Sequence, residues 1–217
     1  MTLMGLLSLI FPDKCPYCRQ IIRSGLSECD KCRSSFPSFA EERILQSGDR
    51  CIAPFRYEGG FRSAITELKF SGIKFNAASL SKQLARVLAD EAAQIDIVCW
   101  VPVSRKRRRE RGFDQSELLA VKAAGLLDKE YCCLLKKIRN NAVQHELDSK
   151  RRVSNVKGVY AAARPEMIKG KHILLIDDIC TTGNTLSECS RVLHSAGASS
   201  VLCAAAAMVP GPEEKNK

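Results

Sequence analysis

Short apolar runs alternate with amphipathic patterns along most of the chain. Short runs rich in β-branched and other apolar residues predict buried strands at Cys51–Tyr57, Ile95–Val103, Val156–Ala161, Ile173–Ile176 and Ser199–Met208. Apolar residues that recur every three or four positions predict helices at Phe61–Phe70, Ala77–Ala93, Asp114–Leu127 and Leu186–Ala196. Strands that alternate with helices indicate an α/β fold, with a mostly parallel twisted sheet and helices on both faces.

The stretch from Ile173 to Thr185 joins a predicted strand to two adjacent carboxylates and a loop of small residues. The strand is predicted to end at Asp177–Asp178, where both carboxylates can turn toward one ligand and bind vicinal hydroxyls, directly or through a metal ion. Backbone N–H groups and hydroxyls at a helix N-terminus, which suit a phosphate monoester, come from Thr181, Thr182, Gly183 and Thr185. The pattern predicts a ribose 5-phosphate site. An ordinary strand–turn–helix capped by Asp and Thr is the alternative.

The same run, I-L-L-I-D-D-I-C-T-T-G-N-T, resembles the phosphoribosyl pyrophosphate (PRPP) signature of type I phosphoribosyltransferases. The resemblance implies that Asp177 and Asp178 contact the ribose hydroxyls and that Mg²⁺ accompanies PRPP. It also implies that the 5-phosphate is held by Thr181, Thr182, Gly183, Asn184 and Thr185.

Two C-x2-C pairs, ten residues apart, predict a structural zinc site near the start of the chain. Four thiolates at this spacing can close a tetrahedral Zn²⁺ site that needs no open position. A thioredoxin-like redox motif is an alternative, but no βαβ pattern surrounds either pair. Four buried free cysteines are another, and they fit poorly with so polar a segment. The predicted ligands are Cys15, Cys18, Cys29 and Cys32.

Six basic residues lie between Ser104 and Gly112, directly after a predicted strand. The segment is predicted to be a loop. Ligands of doubly wound folds collect at the carboxyl ends of strands, so this loop is expected beside the Asp177 loop. Arginine forms bidentate pairs with phosphate oxygens, which predicts a pyrophosphate site with Arg105, Arg108 and Arg111 as candidates. A solvated or nuclear-targeting stretch is the alternative.

Three further segments resemble the ComF family: W-V-P-V, R-x-x-R-G-F-D-Q and R-x4-Q-H-x-L-x4-R-x-x-N-V-x-G-V-Y. That family joins a four-cysteine zinc segment to a phosphoribosyltransferase-like domain, and its members are linked to natural competence and the handling of single-stranded DNA. The resemblance implies roles in the PRPP loops or lid for Arg111, Gly112, Gln115, Arg139, Gln144, Arg152 and Asn155. One departure is Asp114, where the family usually has asparagine. We expect Asp114 to cap the following helix in a capping box with Glu117.

The chain is predicted to contain two units and a tail. Residues 1–50 form the zinc module, with a short leading helix at Met1–Phe11 and a polar connector at Ser34–Asp49. Residues 51–209 form the type I phosphoribosyltransferase-like domain, and residues 210–217 are a disordered tail by composition. The leading segment is too short to span a membrane and lacks the features of a secretion signal. We therefore expect no membrane span and a cytoplasmic location.

A formal net charge of +10 on 217 residues indicates an anionic partner, either a polyphosphate or a nucleic acid. The resemblance implies that PRPP is bound and that its phosphoribosyl group passes to a nitrogen nucleophile with release of pyrophosphate. It also implies single-stranded DNA and competence DNA-translocation proteins as partners. Three alternatives stay open: a non-catalytic protein that binds PRPP and single-stranded DNA, a nucleobase-salvage phosphoribosyltransferase, and a structural zinc adaptor that does not use the Asp177–Asp178 pair. The sequence does not name the acceptor.

Overall fold

A six-stranded sheet forms the centre of the protein in a computed structural model that describes residues 12–70, 75–139 and 157–211. The described strands are β1 (Glu41–Ile44), β2 (Arg50–Ala53), β3 (Ile97–Trp100), β4 (Glu130–Tyr131), β5 (Leu135–Lys137), β6 (Tyr160–Ala162), β7 (His172–Cys180) and β8 (Ser200–Met208). The main sheet has the order β1–β2–β8–β7–β3–β4. The edge strand β1 is antiparallel to β2, and every other pair of neighbouring strands in this sheet is parallel. Strands β5 and β6 form a separate antiparallel ribbon.

Helices cover both faces of the sheet, as predicted. They are α1 (Asp30–Ser34), α2 (Gly59–Phe70), α3 (Phe75–Val87), α4 (Arg105–Arg111), α5 (Gln115–Leu127) and α6 (Asn184–Ser195), with 3₁₀ turns at Ala89–Gln94 and Pro165–Met167. Among the described residues, no helix has the length and apolar character needed to cross a membrane.

The two faces of the sheet have separate cores because side chains alternate along each strand. Val98 and Trp100 of β3 pack with the apolar residues of α2, α3 and α5. Ile97 and Cys99, the alternate residues of the same strand, pack instead with α6 and the β5–β6 ribbon. This arrangement confirms the predicted α/β architecture.

Two predictions were wrong: the end of the strand at the acidic pair and the conformation of the basic run. Strand β7 does not end at Asp177–Asp178; it continues to Cys180 because these residues extend its parallel pairing with β8. The basic run is helix α4 rather than a loop. The Ser104 hydroxyl caps the helix by accepting the N–H of Arg107, and Gly112 ends it with a φ of +77°.

The predicted polar connector at Ser34–Asp49 was also wrong in part. It contains strand β1, which pairs with β2 and so adds a hairpin to the edge of the sheet. Strand β2 is shorter than the predicted Cys51–Tyr57. The strand predicted at Val156–Ala161 appears as the three residues of β6, outside the main sheet.

Aromatic rings join the cysteine-rich segment to the rest of the protein. Tyr17 packs edge-on against Phe36, Phe55 and Phe61 at centroid distances of 5.1–5.9 Å. Phe55 and Phe61 stack on each other at 3.9 Å. Edge-on and stacked pairs of this kind add stability beyond their buried area.

A buried carboxylate strengthens the same junction. Glu28 has no exposed surface, and it accepts hydrogen bonds from the Ser79 hydroxyl of α3 at 2.7 Å and from Arg33 at 3.3 Å. The Tyr17 hydroxyl also lies 2.7 Å from Ser79. Burial alone would raise the pKa of Glu28, but hydrogen bonds from Ser27 and Ser79 and the charge of Lys82 bring it below its usual value.

We predict that Gly60→Ala destabilises the protein. A Cβ at this position in the first turn of α2 would lie 2.4 Å from the Tyr17 carbonyl oxygen, so the cysteine-rich segment would have to move. The overpacking should cost about 1–3 kcal/mol in the free energy of unfolding, measured by denaturant titration.

Gly125→Ala in α5 is the matched control, because nothing lies within 4 Å of its added Cβ. That change should stabilise the protein by up to about 1 kcal/mol through helix propensity. Equal effects of the two substitutions would contradict the proposed contact.

Candidate functional site

A polar cleft of about 210 Å³ lies where β3 and β7 end. The two strands are parallel neighbours, with Trp100 opposite Ile176, so the segments that follow them meet at one edge of the sheet. The charged side chains that line the cleft are Asp177, Asp178, Arg107, Arg111 and Lys137. The basic segment therefore lies beside the acidic pair, as expected from the sequence.

The acidic pair is held in place by hydrogen bonds within the protein. The Oδ1 atom of Asp177 accepts the hydroxyl of Ser116, from α5, and the backbone N–H of Asp178, both at 2.8 Å. Both carboxylates are half-buried and line the cleft. Oxygen donors of this kind fit Mg²⁺, which proteins usually hold through one or two carboxylates together with substrate phosphates.

The predicted phosphate loop runs from the end of β7 into α6. Thr181 and Thr182 are exposed, and Gly183 has a φ of +79° that favours glycine. Thr185 lines the cleft together with the acidic pair, whereas Asn184 lines a neighbouring cavity. The structure thus brings one loop residue to the carboxylates, and phosphate binding by the whole loop stays a prediction.

Helix α4 divides its basic residues between two sides. Arg107 and Arg111, one turn apart, line the cleft. Arg108 instead pairs with Glu117 at 3.0 Å, and Arg105 is exposed. The helical geometry therefore places Arg107 at the cleft, whereas the predicted candidates Arg105 and Arg108 are not among its lining residues.

Gln115, the first residue of α5, lines the cleft and contacts α4. Its side-chain oxygen accepts a hydrogen bond from Arg111 at 3.1 Å. Its amide nitrogen is buried and has no hydrogen-bond partner among the described residues. Buried polar groups are rarely left unpaired. A ligand oxygen in the cleft would satisfy this donor.

Asp114 acts as a helix cap. One of its carboxylate oxygens accepts the N–H groups of Ser116 and Glu117, and the other accepts that of Val103 at 2.9 Å. The residue is 2% exposed, and burial raises the pKa of its carboxyl. Both carboxylate oxygens of Asp114 therefore bind backbone N–H groups, while Glu117 pairs with Arg108 instead of completing a capping box.

Lys137 and Tyr160 line the cleft, and the sequence did not predict either. They come from the β5–β6 ribbon, whose strands are too short to show a clear pattern. The Lys137 ammonium lies 5.5 Å from the centre of the Tyr160 ring. Burial and the charge of Arg107 lower the pKa of Lys137. The ComF-like motif offered two signals, because it begins at Arg139, two residues after Lys137, and ends at Tyr160 itself.

The remaining lid candidates are placed as follows. Arg139 is exposed and directly follows the ribbon strand β5 and Ile138, while Gly112 is at the end of α4. Three further candidates, Gln144, Arg152 and Asn155, lie outside the described residues. The predicted leading helix and most of the predicted tail also lie outside them. The roles of these lid candidates stay predictions.

The four predicted cysteine ligands form one cluster. Their sulfur atoms all lie within 4.8 Å of one another, and the Sγ atoms of Cys18 and Cys29 are 3.6 Å apart. Four sulfurs around a zinc ion should be about 3.8 Å apart, given a Zn–S distance near 2.3 Å. The cluster can therefore hold a metal ion, and a set of four sulfurs is typical of zinc or iron–sulfur centres.

The thiols of this cluster differ in acidity. Burial opposes ionisation of Cys15, but N–H groups of Cys29, Cys18 and Tyr17 stabilise its thiolate, and its pKa falls to about 7. Burial and the three neighbouring thiols raise the pKa of Cys32. Without a cation, the crowded sulfurs resist further ionisation. Metal binding is therefore expected to release protons.

Comparison with known proteins agrees with this geometry. Residues 63–217 match the family model described as "Phosphoribosyl transferase domain". The chain is 28% identical to the "DNA utilization protein YhgH" of Salmonella typhimurium, over 86% of each chain. It is 31% identical to the "Competence protein ComFC" of Streptococcus pneumoniae, over 87% of this chain and 78% of that protein.

A solved structure of glutamine PRPP amidotransferase from B. subtilis is 26% identical, covering 59% of this chain and 26% of that one with a TM-score of 0.40. That likeness is too low to support a function. The family match and the ComFC relative are sufficient to identify the class. The protein belongs to the phosphoribosyl transferase domain family and, within it, to the ComF family.

We predict that Cys29→Ser abolishes metal binding and destabilises the cysteine-rich segment. Elemental analysis of the purified protein should find one zinc ion in the wild type and none in the variant, because three thiolates and a hydroxyl make a poor zinc site.

Cys132→Ser is the control, because Cys132 lies outside the cluster and its thiol faces the sulfur of Met167. This variant should retain the zinc. Unchanged zinc in Cys29→Ser, or iron in place of zinc in the wild type, would contradict the prediction.

Proposed function

We propose that the cleft binds PRPP together with Mg²⁺ and that this binding serves transfer of the phosphoribosyl group. The observation that carries the proposal is the meeting of two adjacent carboxylates with three cationic side chains in one cleft. Asp177 and Asp178 suit the ribose hydroxyls, and Thr181–Thr185 suits the 5-phosphate at the start of α6. Arg107, Arg111 and Lys137 suit the pyrophosphate.

The proposed reaction is displacement at the anomeric carbon of the ribose. The lone pair of a nitrogen nucleophile forms a bond to this carbon, the bond from carbon to the pyrophosphate oxygen breaks, and pyrophosphate leaves with the electron pair. The nitrogen then loses a proton. Bound Mg²⁺ would neutralise part of the pyrophosphate charge.

The protein's own part in this reaction is positioning and electrostatics. Arg107 and Arg111 project from one side of a helix that is capped at both ends, so their charges are held where the leaving group gains negative charge. Asp177, held by Ser116 and the Asp178 N–H, keeps the ribose end of the cleft in a fixed orientation.

We predict that Asp178→Asn weakens Mg²⁺-dependent binding of PRPP by about tenfold to a hundredfold, as expected for loss of a charged hydrogen-bond acceptor. Calorimetric titration with and without Mg²⁺ measures this effect. Asp178 is preferred to Asp177 because the Asp177 carboxylate also holds Ser116.

Asp96→Asn is the matched control. This carboxylate accepts the His172 N–H at the opposite end of the same strands, and asparagine can keep that bond. Failure of the wild-type protein to bind PRPP with Mg²⁺ would overturn the proposed function. Release of pyrophosphate in the presence of nucleobases would separate transfer, including nucleobase salvage, from binding alone.

Single-stranded DNA binding is a second candidate, and the outer side of α4 favours it. Arg105, Lys106 and Arg109 are exposed there, whereas Arg107 and Arg111 line the cleft. Two relatives carry the names "DNA utilization protein" and "Competence protein". A cytoplasmic location and DNA-translocation proteins as partners belong to this second proposal.

We predict that Arg105→Ala combined with Arg109→Ala reduces the salt dependence of single-stranded DNA binding. The slope of log affinity against log salt should become smaller by about 1.4, since each neutralised phosphate contributes about 0.7. Replacing two exposed lysines elsewhere, Lys122 and Lys171, by alanine is the control. An equal slope in both double variants would remove α4 from the DNA site.

A further inference from the structure

The hairpin formed by β1 and β2 contacts the predicted phosphate loop, although it precedes the matched domain of residues 63–217. Arg43 of β1 donates hydrogen bonds from both terminal nitrogens of its guanidinium group to the carbonyls that follow two strands. Its Nη1 donates to the carbonyl of Thr181 at 2.6 Å and its Nη2 to the carbonyl of Val209 at 2.7 Å. The Val209 N–H in turn donates to the Cys180 carbonyl at 2.8 Å. One guanidinium therefore ties the first loop residue to the ends of β7 and β8.

The same hairpin also contacts the other side of the loop. The side chain of Leu45 is 5% exposed, and a Cβ added to Gly183 would lie 2.6 Å from its Cδ2 atom. Leu45 thus packs directly against the loop at Gly183, where the φ of +79° already favours glycine. Arg43 and Leu45 together support the loop from Thr181 to Gly183.

The Arg43 bond determines the direction of a donor. In a planar trans peptide the C=O and N–H groups point in opposite directions. Since Arg43 holds the Thr181 carbonyl, the N–H of Thr182 in the same peptide must point away from Arg43. A phosphate bound by this loop needs backbone N–H donors that already face it.

The hairpin has its own anchor, which does not depend on Arg43. Asp49, in the turn of the hairpin, accepts hydrogen bonds from Ser190 and His194 of α6. Burial alone would raise the pKa of Asp49, but these hydrogen bonds bring it below its usual value. Removal of Arg43 should therefore release the loop and leave the hairpin attached.

We propose that Arg43 is a positioning residue that holds the Thr181–Thr182 peptide in the orientation required by the 5-phosphate of the ligand. The segment before the phosphoribosyl transferase domain then completes the phosphate subsite. This inference rests on the proposed function, because it assigns one part of the same PRPP site.

The test measures ribose 5-phosphate and pyrophosphate separately by calorimetry, in the full-length protein. Arg43→Ala should weaken ribose 5-phosphate and PRPP by about tenfold and leave pyrophosphate within about twofold of the wild type. Arg111→Ala should show the opposite selectivity, since Arg111 lines the cleft and is assigned to the pyrophosphate. Arg43→Lys keeps the positive charge but cannot donate both hydrogen bonds in the same geometry, and it should lose less affinity than Arg43→Ala.

Arg50→Ala is the matched control, because Arg50 lies in the same hairpin and pairs with Glu91 and Glu42 instead of the loop. It should change neither affinity. Hydrogen exchange of the free protein adds a measurement that needs no ligand. Peptides that cover residues 180–186 should exchange faster in Arg43→Ala than in the wild type or Arg50→Ala.

Equal losses for ribose 5-phosphate and pyrophosphate, or no loss for either, would overturn the role of Arg43. A wild-type protein that binds neither ligand would overturn the proposed function instead. In that case, faster exchange in Arg43→Ala would show that the contact holds the loop but serves another ligand. The two failures are therefore distinguishable.

Discussion

The parallel pairing of β3 with β7 is the constraint on which the candidate site depends. Because Trp100 lies opposite Ile176, both strands end at one edge of the sheet and the segments after them must share that space. One segment brings two carboxylates and the other brings a basic helix. A strand order that separated β3 from β7 would leave the same residues without a common cleft.

Charge balance follows from this pairing. Two half-buried carboxylates and three cationic side chains line one cleft. In the absence of ligand, the opposite charges therefore favour each other's ionised forms. Asp114 shows a different use of a carboxylate in the same region. It is buried, and both of its carboxylate oxygens accept hydrogen bonds from backbone N–H groups. These bonds fix the start of α5 and therefore the positions of Ser116 and Gln115. An asparagine side chain at this position would offer only one oxygen.

The segment before the matched domain is integrated with it in two places. Its cysteine cluster is attached to α2 and α3 through Tyr17 and the buried Glu28. Its β1–β2 hairpin extends the sheet and contacts the predicted phosphate loop through Arg43 and Leu45. A metal ion held by four cysteines would replace the apolar core that so small a segment lacks. The role proposed for Arg43 depends on the second of these attachments.

The sequence alone predicted the α/β class, the cysteine cluster, the acidic pair and the proximity of the basic segment, because each depends on a local pattern or on the general rule that parallel strands end together. It also identified Asp114 as a cap. Tertiary structure alone decided that β7 continues to Cys180, since that length comes from pairing with β8. It likewise decided that α4 turns Arg107 and Arg111 toward the cleft, and that Lys137 and Arg43 approach from distant strands. Contacts between residues far apart in the chain leave no periodic signal, so spacing could not predict them.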